Sequence, residues 1–531
     1  KTYDIRKDYS DYLYQKAITQ QYMLNLSGGS NKSSYYLSGN YDKSRANVQE
    51  NSSERITLNS QFLFNPIKNL DVTVRYNYSL TKNKFNGINS IAASGKYSNI
   101  YPYAQLADDQ GNYLATPTLF STSFINDPGV AGLQDWSYIP LQDRLLNNST
   151  SRSVSNRMYG ALKYHFTKVF NTEISYQYQE SNATSTTIYD RSSYYTRNLI
   201  NQYSVIADEK VIDYNIPVGD IQYNGLSTIA AHSGRAQLNY NEIFGHHEFS
   251  AIGGIEIRET KLEGSSSTVY GYDAEVGSSV SVDYKTLFTL FPSFSALQIP
   301  GAPIITPYSL DRYRSYYANA SYTYAGRYTI TGSARVDQSN LFGVKTNQKG
   351  VPLWSVGARW QIDKEDFYHV SWLPIFRSRI TYGYNGNIDK GVTAITTAAF
   401  YNNNLNNRPF AQIQTPGNPE LRWEKIGMLN IAVDFAFKKQ LLSGSIEYYT
   451  KRGKDLFGDA LLASSSGFLQ ARGNFADMSG SGLDVNLNSV AINKGSFSWA
   501  IDALFSYVRD EVTRNEGTNK QIGKPVNSVY S

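Results

Sequence analysis

Leu70-Asp71-Val72-Thr73-Val74-Arg75-Tyr76-Asn77-Tyr78-Ser79-Leu80 is the stretch on which the fold turns. Apolar or aromatic residues hold every even position, and Asp, Thr, Arg, Asn and Ser hold the odd ones. A two-residue period places the two sets on opposite faces of an extended strand. About ten residues are enough to cross a bilayer when the strand is tilted. Just upstream, Ile56, Leu58, Phe62 and Phe64 alternate with Arg55, Thr57, Asn59 and Gln61. Asn65-Pro66-Ile67-Lys68-Asn69, rich in turn formers, joins the two runs as a tight turn.

The unit recurs along the chain. Met158, Gly160, Leu162, Tyr164 and Phe166 turn at Thr167-Lys168 into Thr172, Ile174, Tyr176 and Tyr178. Leu238 and Tyr240 turn near Phe244-Gly245 into Phe249, Ala251 and Ile255. Tyr322 and Tyr324 turn at Ala325-Gly326-Arg327, and Ile431, Val433, Phe435 and Phe437 turn at Lys438-Lys439. Leu483, Val485 and Leu487 turn at Asn493-Lys494-Gly495 into Phe497, Trp499 and Ile501. About sixteen such segments are expected, within the bacterial range of roughly 8 to 26. A soluble sandwich or solenoid is the rival, but its strands average ~5–6 residues.

Composition agrees. The chain has 531 residues, 44 Tyr, 24 Phe and no Cys, and is 41% hydrophobic. Mean hydropathy is only −0.44, as expected when one strand face meets lipid and the other water. A soluble reading needs roughly three domains, and no linker divides the chain. No run of ~18 apolar residues offers a membrane helix, so a membrane protein of this sequence is a barrel. The net charge of +5 is small and the basic residues are scattered, which argues against nucleic acid. The fold class is therefore all-β, a transmembrane antiparallel barrel occupying residues 1–531.

Connections alternate short and long. Long ones are expected at about 82–153, 182–230, 263–311, 386–420 and 455–476, with shorter ones near 43–52 and 341–350. In outer-membrane barrels the short turns face the periplasm and the long loops face outward. On that rule the strand entering the turn Gly28-Gly29-Ser30-Asn31-Lys32 runs inward, and the last, near 496–509, runs outward. Both ends then lie outside, where a complete barrel normally has them in the periplasm. A barrel incomplete at both ends is the expectation.

Several stretches resemble the barrel of SusC/RagA-type TonB-dependent transporters, outer-membrane importers typical of Bacteroidetes. Leu24-Asn25-Leu26-Ser27-Gly28-Gly29-Ser30-Asn31-Lys32-Ser33-Ser34-Tyr35-Tyr36-Leu37-Ser38 is similar to that family's early hairpin. Arg335-Val336-Asp337-Gln338-Ser339-Asn340-Leu341-Phe342-Gly343 resembles its R-x-DGSS-x-FG segment, with Pro352-Leu353-Trp354-Ser355-Val356-Gly357 following as there. Asn418-Pro419-Glu420-Leu421-Arg422-Trp423-Glu424 resembles NP-x-L-x-WE, and Tyr449-Thr450-Lys451 resembles Y-x-K. The order and spacing of these motifs span nearly the whole chain. The resemblance implies a 22-stranded barrel, of which sixteen strands are present here. It implies a plug, a TonB complex acting through that plug, and a SusD-like surface lipoprotein as lid. The plug and the closing strands have no counterpart in this sequence. Large nutrients, oligosaccharides first and peptides second, are the implied substrates, with no cofactor and no catalysis. The rivals are a passive 16-stranded porin and a surface adhesin or receptor barrel.

Arg55, Arg75, Lys163, Glu173, Arg235, Arg377, Arg379 and Glu447 hold polar alternate positions and are expected to line the lumen. Tyr101, Tyr103, Trp136, Tyr194 and Tyr195, in long loops, are candidates for stacking on sugar rings or for packing within the loops. Loops 82–153 and 263–311 are the candidates for lid contact. His246-His247 reads as a solvated turn rather than a metal pair, because neighbours on a strand point to opposite faces. Gly253-Gly254 reads as a strand kink. No G-x-S-x-G elbow or HExxH spacing occurs, and nothing fixes a pair of catalytic carboxylates.

Overall fold

The computed structural model describes residues 4–87, 103–116, 119–340, 350–402, 408–438, 441–495 and 497–516. Tyr101, Lys439 and Leu341-Phe342-Gly343 lie outside the described residues. The main sheet has 17 strands, all antiparallel neighbours. One is the three-residue Ser278–Val280, which leaves the sixteen long wall strands expected from the alternation. They are β1 (Ile18–Ser30), β2 (Ser33–Arg45), β3 (Asn51–Ile67), β4 (Leu70–Phe85), β5 (Asn147–His165), β6 (Phe170–Tyr189), β7 (Asp220–Phe244) and β8 (His247–Asp273). Then follow β9 (Ile304–Tyr324), β10 (Tyr328–Ser339), β11 (Gly350–Gln361), β12 (Ile375–Asn387), β13 (Glu424–Ala436), β14 (Ser443–Leu461), β15 (Gln470–Lys494) and β16 (Phe497–Asn515). Each pairs with its neighbours in sequence. Among the described residues, β1 pairs only with β2 and β16 only with β15.

The turns show why the chain reverses where it does. Pro66 cannot donate to a ladder, and the β3–β4 register slips between Phe64 and Ile67. At the β9–β10 turn Ala325 and Gly326 both take positive φ, 51° and 63°, the handedness a tight hairpin needs. Gly245 does the same at the β7–β8 turn, with φ 60°. Short turns collect at one end of the wall. The connections 86–146, 190–219, 274–303 and 388–423 collect at the other.

Most of the long connections are shorter than the sequence suggested. Strands β7 and β8 reach 25 and 27 residues, so pairing invades the expected loops 182–230 and 263–311. Likewise 82–153 narrows to 86–146, 386–420 shifts to 388–423, and 455–476 shrinks to 462–469. The reason is physical. Above the lipid, Thr184 and Thr186 face Leu226 and Asn224 in a continuous ladder. Backbone pairing there needs no apolar alternation, so hydropathy gave no sign of it.

The register is also continuous through Gly253 and Gly254, against both β7 and β9. No kink exists there. A side chain at Gly254 would meet the Tyr317 hydroxyl at 2.5 Å, so this glycine makes room for a ring from the next strand.

Wall residues are thinly covered, and the packed cores lie in the loops. Leu199, Ile200, Tyr203, Ile216, Ile221, Tyr270, Leu290 and Ile299 form one, tying the 190–219 and 274–303 connections to the tips of β7 and β8. Ile5, Leu13, Leu106 and Leu141 form a second, joining the N-terminal helical segment to the 86–146 loop. A third unites Val392, Leu421 and Trp423.

Candidate functional site

Two faces follow from the register. Ile56, Leu58, Phe62 and Phe64 stand opposite Leu80, Tyr78, Val74 and Val72. That row continues through Leu162 and Ile174. Leu58, Phe62, Leu162 and Ile174 are all exposed, as an outward face in contact with lipid must be. The other face is polar. Arg55, Arg75, Lys163, Glu173, Arg235, Arg377, Arg379 and Glu447 all fall on it.

Most of these interior charges are held. Arg55 pairs with Asp42 at 2.8 Å. Arg379 bridges Asp434 at 3.4 Å and Glu447 at 2.9 Å. Arg377 lies 3.6 Å from Asp363, with its Nε buried and lacking a hydrogen-bond partner. Arg75 sits over the Tyr159 ring at 5.2 Å. Arg235 pairs with Glu256 at 2.6 Å and Arg335 with Asp337 at 2.6 Å. Both guanidiniums flank the Tyr317 ring, at 5.8 and 5.9 Å, and the Tyr317 hydroxyl donates to Gln237 Oε1 at 2.7 Å. Beside this cluster a cleft of about 320 Å³ opens on the interior face, lined by Glu256, Arg258, Tyr313, Ser315, Arg335 and Asp337. Its fixed charges of both signs suit a ligand carrying both. Tyr159, Glu256, Tyr313 and Tyr317 were not singled out from sequence. Their alternate positions are visible there, but Tyr belongs equally to a lipid girdle and to a lumen.

The loop aromatics divide. Trp136 is 2% exposed. Its ring meets Phe120, Phe124 and Phe291 at 4.8, 5.7 and 6.0 Å, and its Nε1 donates to Asn198 Oδ1 at 3.0 Å. It joins three long connections and presents no face to a ligand. Tyr194 is half-buried against Tyr138. Tyr195 leans on Tyr189 at 4.3 Å yet stays 40% exposed. Tyr103 is 65% exposed. The Asp143 carboxylate accepts from the Tyr194 N–H at 2.5 Å. Burial pushes its pKa up, against the pull of that hydrogen bond, of Asn147 and of Arg197. At the opposite end of the wall His247 bonds the Tyr322 hydroxyl at 2.6 Å and stacks on Phe244.

A sixteen-strand antiparallel wall, apolar outside, charged inside and topped by packed loops at one end, defines the wall of a transmembrane β-barrel. The comparisons sharpen this. Residues 103–529 match the family described as TonB dependent receptor-like, beta-barrel, and the chain belongs to it. Its place is the outer membrane, in a family of transporters and receptors. The TonB-dependent receptor P39 of Formosa agariphila is 24% identical over 95% of this chain and 44% of its own. The TonB-dependent receptor SusC of Bacteroides thetaiotaomicron is 22% identical over 96% of this chain and 48% of its own. The chain thus spans about half the length of the curated relatives it matches. Among solved structures, the RagAB peptide importer in its closed-closed state superposes with TM-score 0.76 at 18% identity, over 96% of this chain and 52% of that one. The siderophore receptor PiuA of Acinetobacter baumannii gives 0.54 at 12%, over 96% and 66%.

Proposed function

We propose that this chain forms the pore wall and cargo vestibule of an outer-membrane importer for large nutrients. The observation that carries the reading is the interior cluster of Arg235, Glu256, Tyr317, Arg335 and Asp337, fixed beneath a canopy of loops. In a complete importer a plug fills the lower lumen and engages a TonB complex, and a SusD-like lipoprotein closes the mouth. Loops 86–146 and 274–303 would take the lid. Leu119, Val276, Phe294 and Leu297 are exposed on them, and loops on a rigid scaffold are where recognition concentrates. Oligosaccharide is the first substrate class, supported by the exposed Tyr103 and Tyr195. Peptide is the second, supported by the burial of Trp136 and by the two signs of charge in the interior cleft.

The test is uptake of labelled oligosaccharides and peptides by cells carrying the complete protein, with and without an uncoupler. Import that stops with the uncoupler and falls with a Glu256→Ala/Arg335→Ala pair supports the proposal. Uptake of small solutes indifferent to the uncoupler would leave the porin reading. Ligand capture without uptake would leave the receptor reading.

A further inference from the structure

The outward face carries its own charge pattern, just above the apolar band. On β4 the outward positions run Leu70, Val72, Val74, Tyr76, Tyr78, Leu80, then Lys82 and Lys84. On β5 they run down to Val154, then Arg152 and Thr150. The register lines up one cross-strand row: Lys43 opposite Glu54, Glu54 opposite Lys82, and Lys82 opposite Arg152. Glu54 is taken by Lys43 at 3.4 Å, and Lys84 is taken by Glu50 at 3.1 Å. Lys82 and Arg152 are exposed and, among the described residues, have no carboxylate partner. Two cations directly opposed on one face repel each other and weaken the pair. A cleft of about 350 Å³ opens there, lined by Ser52, Glu54, Lys82, Lys84, Thr150 and Arg152.

The pattern repeats across the wall. Lys425 on β13 stands directly opposite Lys454 on β14, with Arg452 opposite the neighbouring Gly427. All three cations are exposed on the outward face, above Leu429 and Ile431. A like-charge pair is relieved by an anion between its members. At this height, one residue step above hydrocarbon, the anion available in quantity is the phosphate of the lipid headgroup.

We propose that Lys82 and Arg152 seat a phosphate of the phosphorylated saccharolipid of the outer leaflet, with Lys43 and Lys84 flanking it. Lys425, Arg452 and Lys454 form a second such seat. Basic side chains at a membrane surface attract anionic headgroups in this way, and hydroxyls of Ser52 and Thr150 are at hand to donate to phosphate oxygens. The inference rests on the outer-membrane placement and not on the cargo, so it stands or falls apart from the import proposal.

The experiment is native mass spectrometry of the complete protein in detergent, offered lipid A carrying both phosphates, lipid A with both removed, or inorganic phosphate. The phosphorylated lipid should be retained and the dephosphorylated one lost. Lys82→Ala/Arg152→Ala should weaken retention at that seat roughly thirty-fold, and the charge-keeping exchange Lys82→Arg/Arg152→Lys should restore it. Heat-modified gel mobility reports whether each variant is folded. If the alanine pair does not fold, the wild-type comparison of the two lipids decides alone. Equal retention of both lipids, full displacement of the lipid by inorganic phosphate, or undiminished retention by a folded alanine pair would each overturn the proposal.

Discussion

Replacing Trp136 by Ala should loosen the canopy while leaving the barrel wall intact. The indole is 2% exposed and touches three phenyl rings from two separate connections. It also holds Asn198, on a third connection, through its ring nitrogen. Truncating a buried Trp to Ala costs about 3–5 kcal/mol. Here the loss falls on a unit of loops whose opening is separate from global unfolding. At about 1.4 kcal/mol per decade, amide protection in the canopy should fall roughly 100- to 4,000-fold. Hydrogen exchange read by mass spectrometry measures this peptide by peptide. Protection should drop in 119–146, 190–219 and 274–303 together, while β3 to β6 stay unchanged. A Tyr103→Ala control, at a ring 65% exposed, should change nothing. Unchanged protection in 190–219 and 274–303 would refute the idea that one buried indole ties these loops together.

Gly254→Ala should cost about 1–3 kcal/mol, because its Cβ would meet the Tyr317 hydroxyl at 2.5 Å and the Ala236 carbonyl at 2.8 Å. Adding Tyr317→Ala should recover part of that loss in thermal unfolding followed by gel mobility; no recovery would mean that the backbone contact dominates. Arg379→Ala should lower stability by no more than about 1 kcal/mol, since the pair is part-solvated, and a larger drop would reveal an interior drier than its exposure indicates. Asp143→Asn should protect the canopy more than the wild type does at neutral pH. Its carboxyl is pushed up by burial, so the charged form is the disfavoured one in the folded canopy. The stability linked to protonation is complete below the unfolded value of about 3.9 and drains away as pH rises through the raised folded value. Exchange at acid and neutral pH should show the difference in the wild type and not in the variant.

The wall was legible because lipid on one side and water on the other force a strict two-residue period. Leu70 to Leu80 and Ile56 to Phe64 could be paired, and their turn placed, from that period alone. The interior arginines were legible for the same reason. The strand tips were not, because once β6 leaves the lipid its run Ser181 to Thr187 is polar or small on both faces and the period vanishes at Thr184 and Thr186. Trp136 was ambiguous in principle. An aromatic in a loop is equally suited to packing and to stacking, and only the positions of Phe120, Phe124 and Phe291 decide. Phe120 and Phe124 share the connection of Trp136, but Phe291 comes from a distant part of the chain, and no local pattern brings it to the indole. Gly254 failed for a similar reason, since the ring it accommodates belongs to another strand.

The length of β8 carries a consequence for encounter with cargo. Its 27 residues, at about 3.3 Å each and tilted by about 40°, rise roughly 65 Å along the barrel axis. The apolar band takes up only about 25 Å of that. The open ends of β7 and β8, at Asp220 and Asp273, therefore stand some tens of ångströms clear of the bilayer, at the height of any sugar chains that neighbouring lipids carry. A polymer imported as proposed above would meet the loop canopy within or above that layer instead of threading down to the membrane plane. On the import reading, capture would then be governed by how the polymer moves through that layer, and the raised wall would work as a chimney that shortens the search.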